Sequence, residues 1–262
     1  MKQQIHNKLY VIAIILLFLI FAMVSCFITH SVLISEHKLT TIDSFVTYTV
    51  DPKLHELNFY WKNDSGEIIR NIKNLDKYVR SKNARLIFAT NGGMYQKDYS
   101  PQGLYIENYK TNKPIDTLSG SGNFYLKPNG IFYISDINEP KVCATEEFKL
   151  DEHIKYATQS GPMLLINGKI HPAFTKGSHN LHIRNGVGIL PNNQIIFVMS
   201  KVKVNFWDFA NYFKSLGCKN ALYLDGFVSR TFAPEQFWFD IDGDFGVIIG
   251  VVISFKDLML KN

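Results

Sequence analysis

With 262 residues, of which 46% are hydrophobic, 14% aromatic and 19% charged, the chain has the composition of a globular protein, which excludes disorder, collagen-like repeats and coiled coil as its main architecture. Its three cysteines include no C-x-x-C pair, which excludes a disulfide-dense scaffold and a thiolate zinc cluster. The net charge of +5 comes from scattered Lys and Arg, so we expect no nucleic-acid partner.

The chain begins with a segment that predicts its location. Residues 9–28 contain no charge, and as a helix rising about 1.5 Å per residue they would span about 30 Å, the thickness of a bilayer's hydrocarbon core. Lys2 and Lys8 precede this run, and positive charge there predicts that the N-terminus stays in the cytoplasm while the remainder is exported. We therefore expect membrane contact through this segment and a domain in the periplasm or at the cell surface.

Three kinds of N-terminal segment fit this run: a cleaved signal peptide, a lipoprotein signal and a membrane anchor. Residues 23–26, with the sequence MVSC, are similar to a lipobox, so Cys26 is the candidate for lipid attachment. We assign residues 1–35 to this segment. Residues 36–262 are assigned to one domain, because no Pro/Gly/Ser-rich linker divides them.

Alternation of apolar residues dominates the first part of the domain. Residues 42–50 and 54–61 alternate between apolar and polar side chains, which predicts two strands. Residues 72–79 then show apolar residues at helical spacing, with Asn71 as the candidate N-cap. Further strands are predicted at 85–90, 103–107, 123–127 and 131–135.

The second half predicts a hairpin and a second helix. Residues 187–190 and 195–199 bracket the turn sequence PNNQ, which predicts a β-hairpin. Residues 206–216 place their phenylalanines on one helical face, and Gly217 is predicted to end that helix. Additional strands are predicted at 163–166, 221–224 and 247–253. Strands outnumber helices without regular βαβ alternation, so we predict an α+β fold: a single domain with a mixed, largely antiparallel sheet and few helices.

Four short polar blocks carry the candidate site residues. The first, TNGGMY, ends a predicted buried strand with Asn91, Gly92 and Gly93. We expect these glycines to expose backbone N–H groups in conformations that only glycine adopts easily, and such a turn can hold an anion. A simple hairpin turn is the alternative. Asp98 follows in a surface-like loop, where it is either a second carboxylate of the site or a structural residue.

The second and third blocks surround two further apolar strands. The second, QSGPM, places Ser160 and Gly161 at the entry to a strand, with no function required of them by this pattern alone. The third, HIRNGVG, contains Arg184 and Asn185. A planar guanidinium beside glycines suits recognition of phosphate or carboxylate, and a surface salt bridge is the alternative.

The fourth block, LYLDGFVS, ends an apolar strand with an acidic residue. Asp225 occupies the C-terminal end of the strand, Gly226 follows it, and Ser229 comes shortly after. This arrangement commonly projects a carboxylate into a cleft. Capping of the following turn is the alternative role of Asp225.

Taken together, the blocks resemble the phosphodiester glycosidase family, and most closely its short bacterial branch of envelope-associated proteins. The resemblance extends over about residues 86–252 and rests on TNGGMY, SPQGLYIEN, NFYLKPNGIFYI, SGPMLLINGKIHPAF, HIRNGVGI and ALYLDGFVS. It implies a hydrolase that cleaves a sugar, such as N-acetylglucosamine, from a phosphodiester on its anomeric carbon. One departure is that Phe227 and Val228 follow the Asp-Gly pair, where the better-studied branch has glycines and small hydroxyl residues.

The resemblance also implies roles for the residues that match the motifs. Cleavage at the sugar carbon builds positive charge on the ring and negative charge on the departing phosphate. We expect Asp225 to stabilise or attack the ring and Arg184 to bind the phosphate, while Asn91 with the glycine turn fixes the phosphate or sugar. Ser160 would orient the substrate. The residues assigned to substrate binding are Gly92, Gly93, Ser160, Gly161, Asn185, Gly226, Ser229 and Asp98.

A non-catalytic envelope protein that binds sugar-phosphate polymers is the competing function, and it would not need Asp225. A third alternative is an assembly or interaction lipoprotein. No cofactor is predicted with certainty, and a divalent cation stays open.

Three weaker patterns complete the sequence. His179 and His182 lack the nearby carboxylates of a zinc site, and the three aspartates of residues 240–244 lack the ligand spacing of a calcium loop, so a polar turn is preferred there. Cys143 and Cys218 would be able to pair outside the cytoplasm, although nothing in the sequence brings them together.

Overall fold

The structure is a computed structural model that describes residues 17, 19–26, 44–225 and 228–260. The chain divides into two compact units, Met1–Ser44 and Phe45–Asn262. In the first unit residues 17 and 19–26 are helical and exposed, Cys26 among them. Within the part of the chain that the structure describes, no helix has the length and apolar character needed to cross a membrane.

The second unit consists mainly of short strands. In chain order its elements are β1 (Phe45–Val50), β2 (Glu56–Tyr60), α1 (Ile72–Ser81), β3 (Ala84–Asn91), β4 (Tyr105–Glu107), β5 (Lys110–Lys113), β6 (Gly130–Ser135), β7 (Pro140–Ala144), β8 (Ile154–Ser160), β9 (Met163–Ile166), β10 (Lys169–Ile170), β11 (Asn185–Ile189), β12 (Ile195–Ser200), α2 (Phe206–Ser215), β13 (Ala221–Asp225), β14 (Thr231–Ala233), β15 (Trp238–Phe239), β16 (Ile248–Ser254) and α3 (Phe255–Leu260), with 3-10 turns at Asn123–Tyr125, Thr145–Glu147 and Pro234–Gln236.

The strands form three sheets. Sheet A has the strand order β1-β12-β11-β13-β9-β10, sheet B the order β15-β14-β3-β16-β2, and sheet C the order β5-β4-β8-β6-β7. Every strand pair in the described residues is antiparallel. The predicted α+β class with few helices is confirmed.

One apolar core joins the three sheets. Phe88 of sheet B, Phe132 of sheet C and Phe197 of sheet A are all buried in it. The ring centroid of Phe197 lies 5.1 Å from that of Phe88 and 5.9 Å from that of Phe132. Burial of each such side chain stabilises the fold by roughly 1.5–3 kcal/mol. The packing fixes the sheets against one another, and therefore also the positions of their strand ends.

Successive side chains of β13 pack into two different cores. Leu222 and Leu224 pack into the core between the sheets, whereas Ala221 and Tyr223 pack under α2 on the other face of sheet A. This alternation does not extend to Asp225, because the pairing with β11 shifts register between Tyr223, opposite Gly186, and Asp225, opposite Asn185.

Local sequence signals set both long helices. The Asn71 side chain accepts a hydrogen bond from Asn74 N at 2.8 Å, which confirms the predicted N-cap of α1. The Asn205 side chain accepts in the same way from Asp208 N at the start of α2. Gly217 has a φ of +84°, a conformation suited to glycine, and it follows the last turn of α2 as predicted.

The hairpin of β11 and β12 is also confirmed, but one predicted strand is wrong. Residues 123–127 contain a 3-10 turn instead, because Tyr125 N and Leu126 N donate to carbonyls three residues earlier, those of Gly122 and Asn123. The segment thus satisfies these backbone groups locally and needs no neighbouring strand.

Candidate active site

The ends of three strands meet at one place in the molecule. Asn91 is the last residue of β3, Asp225 is the last residue of β13, and Asn185 is the first residue of β11. Asn185 is directly opposite Asp225 across the pair of strands. All three side chains are at least 95% buried. Residues far apart in sequence therefore converge as a polar cluster inside the fold.

Asn185 is the central connection of this cluster. Its Oδ1 accepts a hydrogen bond from Asp225 N at 2.9 Å. Its Nδ2 donates to the backbone oxygen of Asn91 at 2.8 Å and lies 3.0 Å from Thr90 Oγ1. One amide therefore fixes the end of β13 in sheet A to the end of β3 in sheet B.

The Asn91 side chain contacts the Asp225 carboxylate directly. Its Nδ2 donates to Asp225 Oδ2 at 3.3 Å. Its Oδ1 accepts from Arg230 N at 2.9 Å, which sets the orientation of the amide so that the N–H side faces the carboxylate. A buried carboxylate held by fixed donors can stabilise or attack an electron-poor carbon without first reorganising its surroundings.

The charge of Asp225 acts on two tyrosines. Burial, with the Asp225 carboxylate as the second contribution, raises the pKa of Tyr95 to about 12. Burial is also the main cause of the raised pKa of Tyr223, and the Asp225 charge adds to it while Arg184 opposes it. Both phenols therefore stay protonated at neutral pH, and Tyr95 donates its O–H to Asp244 O at 2.7 Å.

Arg184 lies beside this cluster, but its guanidinium is occupied by the protein. The side chain is fully buried, and Nε donates to Val204 O at 2.9 Å. Nη2 donates to the backbone and side-chain oxygens of Asn180, and Nη1 donates to Tyr223 Oη at 3.2 Å. The guanidinium carbon also lies 3.6 Å from the centroid of the Phe206 ring.

These contacts use four of the five N–H groups of Arg184. The predicted bidentate phosphate contact is therefore corrected, because too few donors are left for it. Arg184 instead supports Tyr223, which lies two residues before Asp225 on β13.

The glycine turn also needs a correction. Gly92 and Gly93 do not have positive φ angles, and Gly92 N donates to Val247 O at 2.8 Å. The glycines are required by close packing instead. A Cβ on Gly92 would lie 2.6 Å from Ile249 Cγ1, and one on Gly93 would lie 2.6 Å from Thr158 Oγ1. The predicted nest of backbone donors is therefore not formed by these glycines.

The two predicted serines hold the end of β13. Ser160 Oγ donates to Leu224 O at 2.6 Å, and Ser229 Oγ donates to Asp225 O at 2.8 Å. Both residues are buried, so their hydroxyls support the backbone around Asp225 rather than meeting a substrate. Gly161 allows close approach of its neighbours, because a Cβ there would lie 2.6 Å from Asn129 Cβ.

Two predicted site residues remain to be placed. Asp98 is exposed in the loop after β3. Its hydrogen bond with the Ser100 side chain, followed by the one that Oδ1 accepts from Ser100 N at 3.0 Å, lowers the pKa of the carboxyl. This is the geometry of a turn-stabilising residue, as its structural alternative predicted. Gly226 lies outside the described residues, as does Phe227.

The three aspartates of residues 240–244 bind different partners. Asp242 pairs with Arg230, Asp244 pairs with Arg70, and Asp240 accepts from the backbone N–H of Thr231. Each carboxylate therefore has a different partner, as expected for the polar turn that the sequence favours over a calcium loop.

The other candidate metal and thiol residues are separate from this turn. His179 and His182 are exposed. Cys143 and Cys218 are free thiols. Among the described residues, no group of three or more His, Cys, Asp and Glu side chains is placed to hold a metal ion.

Sequence reasoning missed three residues around the cluster. Tyr223 could have been considered because it precedes Asp225 by two positions on the same strand. Arg230 contributes its backbone N–H to Asn91, a role that no sequence signal reveals. Asn129 is the residue directly before β6, and its buried Oδ1 has no hydrogen-bond partner among the described residues. Asn129 lies against Gly161, so this acceptor is close to the end of β8.

Comparisons with known proteins agree with the sequence blocks. Residues 84–246 match the profile of the family described as phosphodiester glycosidase. The uncharacterized protein YigE of Escherichia coli (strain K12) is 37% identical over 186 residues, which are 71% of this chain and 72% of YigE. The matched range contains all four polar blocks, so the predicted resemblance is confirmed.

Two solved structures share the fold. One is the zebrafish N-acetylglucosamine-1-phosphodiester alpha-N-acetylglucosaminidase catalytic domain, auto-inhibited by its pro-peptide, with a TM-score of 0.51 and 14% identity over 79% of this chain and 88% of that one. The other is a protein of Burkholderia pseudomallei K96243 described as exported, with a TM-score of 0.52 and 12% identity over 79% of this chain and 73% of that one. At these identities the likeness concerns the fold alone.

Proposed function

Because the chain belongs to the phosphodiester glycosidase family, we propose that it is a hydrolase that cleaves a sugar from a glycosyl 1-phosphodiester. The sugar is N-acetylglucosamine or a close relative of it. The observation that carries this proposal is the buried carboxylate of Asp225, which accepts a hydrogen bond from Asn91 while Asn185 holds the Asp225 backbone N–H, where strands of two sheets meet. A fold that needed only structural contacts at this point would gain nothing from burying a charged group.

The role of Asp225 follows from the charge that develops in the reaction. As the bond from the anomeric carbon to the phosphate oxygen breaks, the ring gains positive charge, and Asp225 either stabilises that charge or attacks the carbon. The hydrogen bond from Asn91 fixes the carboxylate in one orientation. The departing group is a phosphate monoester, which is a stable anion, so the reaction needs little help from a general acid, and water supplies the new oxygen on the anomeric carbon.

Tyr223 is the second group that we assign to the reaction. Its oxygen accepts a hydrogen bond from Arg184, so its own O–H is available as a donor. The positive charge of Arg184 makes that O–H a better donor to an anion. Arg184 thus acts on the phosphate or on a sugar hydroxyl through Tyr223, as a positioning residue.

The direct test is turnover by the purified full-length chain with an N-acetylglucosamine 1-phosphodiester, with the released products identified by mass spectrometry. Asp225→Asn keeps the size of the side chain and removes its charge, and we expect a loss of at least about 10³-fold in kcat, similar to other essential electrostatic groups. Asp136→Asn is the matched control, because Asp136 is an exposed carboxylate of sheet C that pairs with His153. Full activity of Asp225→Asn would refute the assignment.

The same experiment separates the enzyme from the competing function. A non-catalytic protein that binds sugar-phosphate polymers would retain the substrate without releasing sugar, and Asp225→Asn would not change its affinity. Release of free sugar by the unmodified chain, abolished by Asp225→Asn, supports the hydrolase.

We also propose that the enzyme acts on envelope or extracellular glycans. This rests on the uncharged run of residues 9–28 after Lys2 and Lys8, and on the exported description of one structural neighbour. Fractionation of cells that express the chain, with Cys26→Ser as the comparison, tests both the location and the lipid attachment. Recovery of the unmodified chain in the cytoplasm would refute this part of the proposal.

A further inference from the structure

A polar groove runs across the second unit at the end of sheet B that lies opposite Asn91. It consists of three cavities of about 860, 240 and 360 Å³, and Glu56 lines all three, so they adjoin at this residue. Ser254, which pairs with Ala84 at the first residue of β3, lines the largest and the 360 Å³ cavity. Asn91 is seven residues further along β3, about 24 Å at 3.4 Å per residue, so the groove is separate from the candidate active site.

The 360 Å³ cavity is lined by tyrosines, amides and two carboxylates. Tyr60 and Tyr78 contribute half-buried rings, with centroids 6.4 Å apart and planes at 81°. Tyr156 contributes a hydroxyl that lies 2.6 Å from Asn58 Oδ1 and 2.7 Å from Asn108 Oδ1. A volume of this size lies in the range of small-molecule sites and suits a single sugar ring.

Two adjacent residues at this cavity keep unused hydrogen-bonding groups. Glu107 Oε2 accepts from Tyr105 Oη at 3.0 Å, whereas Oε1 has no hydrogen-bond partner among the described residues. Asn108 Nδ2 likewise has no acceptor in the described part of the chain. A sugar hydroxyl is both a donor and an acceptor, so a free acceptor next to a free donor matches its needs. The faces of Tyr60 and Tyr78 suit the apolar C–H face of the same ring.

The charged side chains that line the 360 Å³ cavity favour a neutral sugar over a phosphorylated one. Glu56 and Glu107 line it, and its one lining cation, Lys82, is already paired with Asp64. The carboxylates therefore repel phosphate groups, the opposite of what a sugar-phosphate site requires. From this geometry we propose that the cavity is an accessory binding site for a neutral saccharide residue of a longer glycan, whose flanking residues occupy the two adjoining cavities.

The proposal is tested by titrating the full-length chain with the neutral trisaccharide of N-acetylglucosamine and, separately, with N-acetylglucosamine 1-phosphate, followed by saturation-transfer NMR. The trisaccharide is expected to bind to the unmodified chain and equally to Asp225→Asn. Tyr78→Ala and Glu107→Gln are each expected to weaken its binding at least about tenfold, through loss of a ring face and of an acceptor. Glu107→Gln keeps an acceptor for Tyr105 and should therefore fold. It tests the site even if Tyr78→Ala does not fold.

Phe239→Ala is the matched control for removal of an aromatic ring. Phe239 is 58% exposed, lines none of the three cavities, and lies opposite Phe232, which pairs with Ala89 toward the Asn91 end of β3, so its loss should not change trisaccharide binding. Turnover of a small glycosyl phosphodiester should be the same in Tyr78→Ala as in the unmodified chain, which keeps this test independent of the hydrolase proposal. Absence of trisaccharide binding, or binding unaffected by both cavity variants, would overturn the accessory site.

Discussion

Asn185 and Asp225 lie directly opposite each other on antiparallel strands, and the Asp225 backbone N–H donates to Asn185 Oδ1 at 2.9 Å. The same Asn185 side chain donates from Nδ2 to Asn91 O at 2.8 Å. Asn91 in turn donates to the Asp225 carboxylate. A closed ring of contacts thus joins three residues from different parts of the chain, so the geometry of Asp225 depends on Asn185 as much as on its own strand.

Asn185→Asp should disrupt this ring strongly. The new carboxylate keeps an acceptor for Asp225 N but loses the donor to Asn91, and it buries a second negative charge in the cluster. We expect the free energy of unfolding to fall by about 3 kcal/mol or more, as for other buried groups left unpaired.

Urea unfolding measures this change, and Asn192→Asp is the control. Asn192 is exposed in the turn between β11 and β12, and its Oδ1 accepts from Gln194 N, a contact that Asp retains. Its effect should stay within about 0.5 kcal/mol. Equal stabilities of the two variants would contradict the central position of Asn185.

Gly93→Ala tests the packing role of the glycine turn. The added Cβ would lie 2.6 Å from Thr158 Oγ1, so Thr158 or the end of β3 must move. We expect a loss of about 1–3 kcal/mol in the free energy of unfolding. Because no other atom lies within 3.4 Å, the loss should be smaller when Gly93→Ala is measured in a Thr158→Ala background. A loss that is the same in both backgrounds would indicate a conformational cause instead.

Arg184→Lys distinguishes a positioning role from a phosphate contact. An ammonium group cannot reproduce the planar set of hydrogen bonds to Val204, Asn180 and Tyr223. We therefore expect the free energy of unfolding to fall by about 2–4 kcal/mol. Arg85→Lys, at an exposed arginine, is the control, and its free energy of unfolding should not change. If stability is retained and only the KM for a phosphodiester rises, Arg184 binds phosphate after all.

Stability should depend on pH through a buried histidine. His171 Nδ1 accepts from Ala173 N and its Nε2 contacts Lys127 O, so the ring is neutral in this arrangement. Burial lowers the pKa of His171 below its ordinary value of 6.5. The unfolded chain therefore takes up a proton more readily, and this stability, fully present above pH 6.5, is lost as the pH falls toward the pKa of the folded state.

His171→Gln should reduce the decrease in unfolding free energy between pH 7.5 and 5.5, measured by urea titration at each pH. His153→Gln is the control. His153 is exposed, and Asp136 raises the pKa of its ring, so its contribution has the opposite sign and is screened by solvent. An identical pH dependence in His171→Gln and the unmodified chain would exclude His171 as the source.

Much of the fold follows from local patterns in the sequence. The Asn71 cap, the glycine after α2 and the hairpin of β11 and β12 are set by neighbouring residues, because caps and turns depend on contacts over a few positions. Short strands such as β14 and β15 carry no comparable pattern, and they are formed by the strands beside them. The prediction of a strand at residues 123–127 is wrong for the same reason. A pattern of apolar residues does not show where the backbone N–H and C=O groups find their hydrogen-bond partners.

The sequence by itself identified the family and placed Asp225 at the end of a strand, because the order of the blocks and the apolar run before Asp225 are properties of the chain alone. Only the tertiary structure decided what the surrounding residues do. Arg184 and Ser160 carry polar groups that suit a ligand, yet both donate to protein acceptors, and Gly93 is required by Thr158. A side chain's hydrogen-bond partner depends on which strands become neighbours, and that is fixed by the packing of the three sheets around their common core.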